Sequence, residues 1–211
     1  NIKNDIVAVS SDDAAQRENQ PSETIAPASP DTYRSLYVET INQNTDNFIL
    51  FSLIYLNADE IPELVIFNRE YDNYSIYTVK SGEVFCMVDS LNTVELTYFE
   101  RKNIIGAFAR WDGGGDEGGY GNYYYQTDID KTLTEEAQAV LSDSYNAVYN
   151  ENGEYTGEGV TTYYYMGQET DEGTYQKMQA DLGIDPGSKK LCMETAYETE
   201  EILLLLQGDA P

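Results

Sequence analysis

FILFSLIYLNADEIPELVIF, residues 48–67, decides how this chain folds. Two runs rich in Ile, Leu, Val and aromatics flank a short acidic loop that closes on Ile61-Pro62-Glu63-Leu64. Apolar runs of this length bounded by turn residues read as buried β-strands. The first run, 48–56, is apolar on both faces, which places it centrally in a sheet with both faces covered. The loop gathers Asn57, Asp59, Glu60 and Glu63. Oxygen donors so closely spaced suit a hard cation such as calcium, with Asn57, Asp59 and Glu63 as candidate ligands. The same Asn57 and Asp59 side chains equally suit capping of backbone amides in a tight turn. The glycine and third alternating acid of a full calcium loop are missing.

Working outward, strand patterns continue at 63–68, 74–80, 83–89, 93–99, 103–111 and 122–128. The separators are turn-like, among them Ser81-Gly82, Ser90-Leu91-Asn92 and Arg101-Lys102. Connections this short hold no crossover helix, so neighbouring strands are expected to pair antiparallel as a meander. Upstream, Ser29-Pro30-Asp31 reads as a helix start, and Tyr33, Leu36, Tyr37, Thr40 and Ile41 recur at helical spacing. That helix is expected to end near 42–44 and to cover strand 48–56. Residues 1–28, rich in Ser, Ala, Asp, Gln and Pro, read as a flexible tether.

Downstream, 138–149 reads as a strand, followed by a polar loop and a strand at 160–166. Residues 171–182 follow as a helix with Tyr175, Met178 and Leu182 on one face and Gly183 at its end. A last helix is expected at 198–207. The fold class is therefore α+β: an antiparallel β-meander sheet packed with an N-terminal helix and two C-terminal helices, in one domain spanning 29–211 behind the tether.

Composition removes several functions. The chain of 211 residues carries 38 acids against 12 bases, a net charge of −26. Phosphate binding needs clustered Lys and Arg, so nucleic acid and anionic membrane surfaces are excluded as partners. The absence of His removes the commonest general base and the usual transition-metal ligand. Cys86 and Cys192 stand 106 positions apart with no CxxC spacing, which leaves two free thiols or one disulfide. The start at Asn1 rather than Met fits a chain from which a signal segment is removed.

The second place where chemistry concentrates is RWDGGGDEGGYGNYYYQ, residues 110–126. Five glycines and three acids over 112–119 favour a hairpin loop. The aromatics around it, Trp111, Tyr120, Tyr123, Tyr124 and Tyr125, are candidate ligand-binding residues, because amphipathic rings give large contact area at low entropy cost. Sugar rings or a peptide suit such a surface. Tyr163–Tyr165 are explained by strand propensity, with at most two sharing a face, and a recognition surface is the alternative. A glycoside hydrolase built on two carboxylates is a further alternative that the abundance of acids leaves open.

Several of these stretches resemble a family. IYLNADEIPELVIF is similar to the recurring "ALIYIDxDxIPELVI" segment of uncharacterised secreted lipoproteins of Gram-positive, often gut-dwelling, bacteria. SIYTVKSGEV resembles their "LYTYKDGKV" hairpin. RWDGGGDEGGYGNYYYQ resembles their glycine-rich segment running into a Tyr-rich strand, and YYYMGQETDEGTYQKMQADL their strand-to-helix unit. The resemblance covers about residues 32–207. It implies an extracytoplasmic domain, secreted or held at the cell surface by an N-terminal lipid anchor on a removed leader, and it brings no catalytic residues. Taken together, these readings anticipate a non-catalytic surface domain that binds an extracellular glycan or protein, the alternatives being a calcium-stabilised structural domain and a carboxylate glycosidase.

Overall fold

The computed structural model describes residues 30–112 and 118–208. The tether read at 1–28 and the centre of the glycine-rich loop lie outside those residues. Helix α1 (Pro30–Asn42) leads into β1 (Ile49–Ile54), β2 (Glu63–Asn68), β3 (Asn73–Lys80) and β4 (Glu83–Asn92), which form one sheet in the order β1-β2-β3-β4. β5 (Glu95–Phe99), β6 (Ile104–Asp112), β7 (Gly118–Gln126), β8 (Leu141–Tyr149), β9 (Tyr155–Tyr165), β10 (Gln168–Thr170) and β11 (Lys190–Leu191) form a second sheet in the order β10-β9-β8-β7-β6-β5-β11. α2 (Glu172–Asp181) follows β10, and α3 (Thr199–Gln207) follows β11. Within both sheets the strands pair antiparallel.

The expected meander is thus present, but it breaks between β4 and β5. Thr93 makes the break: its buried hydroxyl donates to Phe108 O at 2.8 Å, and its N–H donates to Asp72 O at 3.1 Å. Pinned at both ends, the chain steps from one sheet to the other within Thr93-Val94. The sheets then stack face to face over a shared core in which Leu56, Val65, Ile76 and Met87 meet Leu96, Ile105 and Tyr125. On the outer face of the first sheet, α1 and α3 supply Tyr37, Ile41, Ile202 and Leu206 against Phe51, Leu64 and Ile66. On the outer face of the second, α2 places Tyr175 against Phe99, Ile104, Tyr124 and Leu141. The layers run helices, sheet, sheet, helix, which buries both faces of β1 and β2 and explains their unbroken apolar runs.

One expectation is corrected. The strand at 48–56 is an edge strand, not a central one. Its apolar character comes from covered faces, and its outer side is closed by Tyr197, which exchanges two backbone hydrogen bonds with Phe51 at 2.8 and 2.9 Å. The helices start and stop as the sequence indicates. Asp171 Oδ1 accepts from Thr174 N at 3.0 Å ahead of α2, and Gly208 closes α3 in the left-handed region at φ 84°. β9 extends farther back than the reading of 160–166, and β10 and β11 are additional. Both cysteines are free: Cys192 is buried in the inter-sheet core and Cys86 half-buried on β4. Burial, with the charge of Asp89, pushes the Cys86 thiol up to about 11.

Candidate functional site, an aromatic hollow on the seven-stranded sheet

Residues paired across an antiparallel ladder share a face of the sheet, and successive residues alternate faces. The β6–β7 register pairs Trp111 with Gly119, Ala107 with Tyr123 and Ile105 with Tyr125. Tyr123 pairs in turn with Ser142, Gly121 with Ser144, and Ser142 with Tyr164. Trp111, Tyr123, Tyr125, Ser142, Ser144 and Tyr164 therefore lie on the face that meets the four-stranded sheet, with Tyr125 in the shared core and Tyr123 packed against it. Here they line an open hollow of about 540 Å³, with Gln138 on its rim.

Glycine makes room for the rings. A Cβ at Gly119 would stand 2.7 Å from the Trp111 indole, and one at Gly121 would stand 3.1 Å from the Tyr123 ring. The indole and phenol thus lie flat over bare backbone. Burial raises the pKa of Tyr123 and Tyr125, with the neighbouring phenols adding to it. Both hydroxyls are protonated at neutral pH and able to donate. The hollow combines flat apolar faces with hydroxyl and amide groups and has no cation in its lining.

The five aromatics singled out in the sequence do not form one surface. Trp111, Tyr123 and Tyr125 share the hollow, whereas Tyr124 lies on the opposite face and Tyr120 lines a separate hollow of about 460 Å³ with Phe108 and Tyr145, which Trp111 also borders. Tyr124 is buried beneath α2, its ring 6.0 Å from that of Phe99. Tyr120 stacks on Tyr145 with ring centroids 5.0 Å apart and an interplanar angle of 18°. The parity of positions within a strand separates them, but only the register between β6 and β7 reveals which rings meet. Ser142, Ser144 and Gln138 join the hollow without having been anticipated, and Tyr164 comes from the tyrosine run for which a recognition surface is the alternative to strand propensity. Of those three tyrosines it alone faces the hollow.

A second hollow of about 630 Å³ adjoins the first, sharing Tyr125, Ala137 and Gln138 with it. Its lining is mixed and includes Asn57, Asp59, Asn103, Asp128 and Lys131 beside Ile129 and Leu133. The two form a continuous groove from Trp111 to the acidic loop.

Within that loop the candidate calcium ligands are committed to the turn. Asn57 Oδ1 accepts from Asp59 N at 2.8 Å, and Asp59 Oδ1 accepts from Ile61 N at 2.8 Å. Glu63 is fully buried, with Oε2 accepting from Leu56 N at 2.7 Å, while Asp59 is exposed. Among the described residues no group of three or more acids or cysteines is placed to hold a metal ion. One oxygen of each candidate ligand thus serves the turn. Calcium and magnesium at equal millimolar concentration are expected to shift the melting temperature equally, through general screening of the −26 charge. A shift specific to calcium in a thermal melt would show a dedicated site.

The aromatic hollow includes one acid in its lining, Asp143. Its carboxylate is engaged on the opposite face, accepting from Asn122 Nδ2 at 2.9 Å and from Tyr175 OH at 2.7 Å, which ties α2 to the sheet. Glycoside hydrolysis takes two carboxyls flanking the scissile bond, and the hollow does not present such a pair. Among the described residues no helix is long and apolar enough to cross a membrane. No protein-family model matches the chain, and no curated protein sequence matches it.

Proposed function

We propose that this chain is a non-catalytic extracytoplasmic surface domain that binds an extracellular glycan through the Trp111 hollow. The observation that carries the reading is the convergence of Trp111, Tyr123, Tyr125 and Tyr164 with Ser142, Ser144 and Gln138 in one open hollow. Pyranose rings present apolar C–H faces and equatorial hydroxyls, which match flat aromatic faces bordered by hydroxyl and amide groups. The groove continuing toward Asn57 and Asp128 accommodates further residues of a chain. With no cation in the lining of the hollow and a strongly negative protein around it, the glycan is neutral. A protein segment is the second occupant of the same class. The extracytoplasmic setting, secreted or lipid-anchored, rests on the resemblance of residues 54–67, 75–84, 110–126 and 163–182 to secreted lipoproteins.

The test is a screen against neutral oligosaccharides, followed by calorimetry on the hits. Trp111→Ala and Tyr164→Ala are each expected to weaken binding at least about tenfold, equivalent to about 1.4 kcal/mol. Tyr120→Ala, in the separate hollow, is expected to leave it unchanged. Hits that survive Trp111→Ala but are lost with Tyr120→Ala would move the site to that hollow and refute the assignment.

A further inference from the structure

The outer edge of β9 runs uncovered over most of its length. The edge of β1 is engaged by Tyr197, and that of β4 by Leu133, which donates to Met87 O and accepts from Asp89 N. The edge of β5 is closed by β11 and by Cys192, whose N–H donates to Leu96 O at 2.9 Å. β10 covers only Tyr163–Tyr165 of β9. Residues 155–161 are all exposed.

The direction of the free backbone groups follows from the turn between β9 and β10. Met166 and Gly167 both take positive φ, at 49° and 71°, the signature of a two-residue hairpin turn in which Tyr165 and Gln168 bond each other. Met166 N donates the other way, to Val140 O. Alternation then turns the amides and carbonyls of Thr161 and Gly159 away from β8 and out to solvent. Natural edges are commonly protected by lysine, proline or coverage. This one carries no Lys or Pro; a bulge with Gly157 at φ 83° interrupts it at 156–158, which leaves 159–162 as its regular open stretch, with Val160 exposed.

Charge selects the partner. Between Lys131 and Lys177 the chain contains nine acids and no Lys or Arg, and Glu158 lies beside the open edge. A second copy would bring two surfaces of like negative charge together, whereas a basic strand would meet Glu158 and the acidic surface around it. We propose that the β9 edge from Gly159 to Thr162 receives an extended cationic polypeptide as an added strand, held by the backbone groups of Gly159 and Thr161 and selected by Glu158 and the acidic surface around it. The surface is separate from the Trp111 hollow and does not depend on it. The acids bar self-association while admitting basic partners.

The test uses the whole chain and three labelled synthetic peptides. The first alternates Lys with Val and Thr over eight residues, the second has Glu for every Lys, and the third is the first with alternate backbone amides N-methylated. Fluorescence anisotropy is expected to show the first binding at least about tenfold tighter than the other two, with Thr161→Pro abolishing the difference. Thr161→Pro removes one outward N–H, and its circular dichroism reports whether the fold is intact. Equal binding of the first and third peptides would reduce the interaction to charge alone and overturn the proposal, without any protein variant. A concentration-dependent dimer in sedimentation that Thr161→Pro dissolves would assign the edge to a second copy, and would overturn it too.

Discussion

Glu63→Gln is expected to remove a stability loss of about 3 kcal/mol that the wild-type chain suffers between pH 4 and pH 8. Glu63 is fully buried at the start of β2, with Oε2 accepting from Leu56 N and Oε1 without a partner. Burial raises its pKa from 4.5 to about 7; the Leu56 amide opposes the shift and the charge of Asp59 adds to it. The sign follows from proton linkage. Between these two values the native state holds a proton that the unfolded chain has released, so stability falls as pH rises. The loss is absent below about 4.5 and complete above about 7, and 1.36 kcal/mol per pKa unit sets its size. Tyr37, whose hydroxyl donates to Pro62 O at 2.8 Å, holds the same turn from α1. Urea unfolding of both proteins at pH 4, 6 and 8 measures the difference. Parallel stability curves would show that Glu63 does not carry this proton.

Phe51→Ala is expected to destabilise the fold by about 3–5 kcal/mol, the range for emptying a buried phenylalanine site that collapses only in part. Phe51 is wholly buried between the four-stranded sheet and the helices, and it is also the residue whose backbone binds Tyr197. Its loss leaves α3 with a hole beneath it, so amide exchange in Thr199–Gln207 is expected to accelerate more than in α2. Denaturant unfolding gives the size, and hydrogen exchange the locality. Equal acceleration in α2, on the far side of the second sheet, would contradict the layered core.

The elements were legible in the sequence to a large degree because most strands alternate or run apolar between turn residues. Leu64, Val65 and Ile66 are buried towards alternate faces, and the apolar run there follows from covering on both sides. What the pattern did not contain was the division into two sheets. The sequence reads as a turn at Ser90-Leu91-Asn92 with a strand from 93, whereas β4 runs to Asn92, and only the three-dimensional placement of Phe108 O and Asp72 O makes Thr93 a crossing point. The glycines at 118, 119, 157 and 159 hid the starts of β7 and β9, since glycine has poor strand propensity even where rings require its bare backbone. The candidate site was half legible for a related reason. Period-two alternation groups Tyr123 with Tyr125, but joining them to Trp111, Ser142 and Tyr164 takes the registers of three ladders.

The outer helical layer joins residues from far-apart parts of the chain. α1 is among the first described segments to be synthesised and α3 the last, yet both pack on the same face of β1 and β2. A ribosome releasing this chain in order exposes Ile49, Phe51 and Leu64 long before Ile202 and Leu206 exist to cover them. Tyr197 likewise reaches Phe51 only after nearly all of the intervening chain has been made. The first sheet therefore stays unsealed through most of translation, and residues 197–207 are the clasp that ends that window.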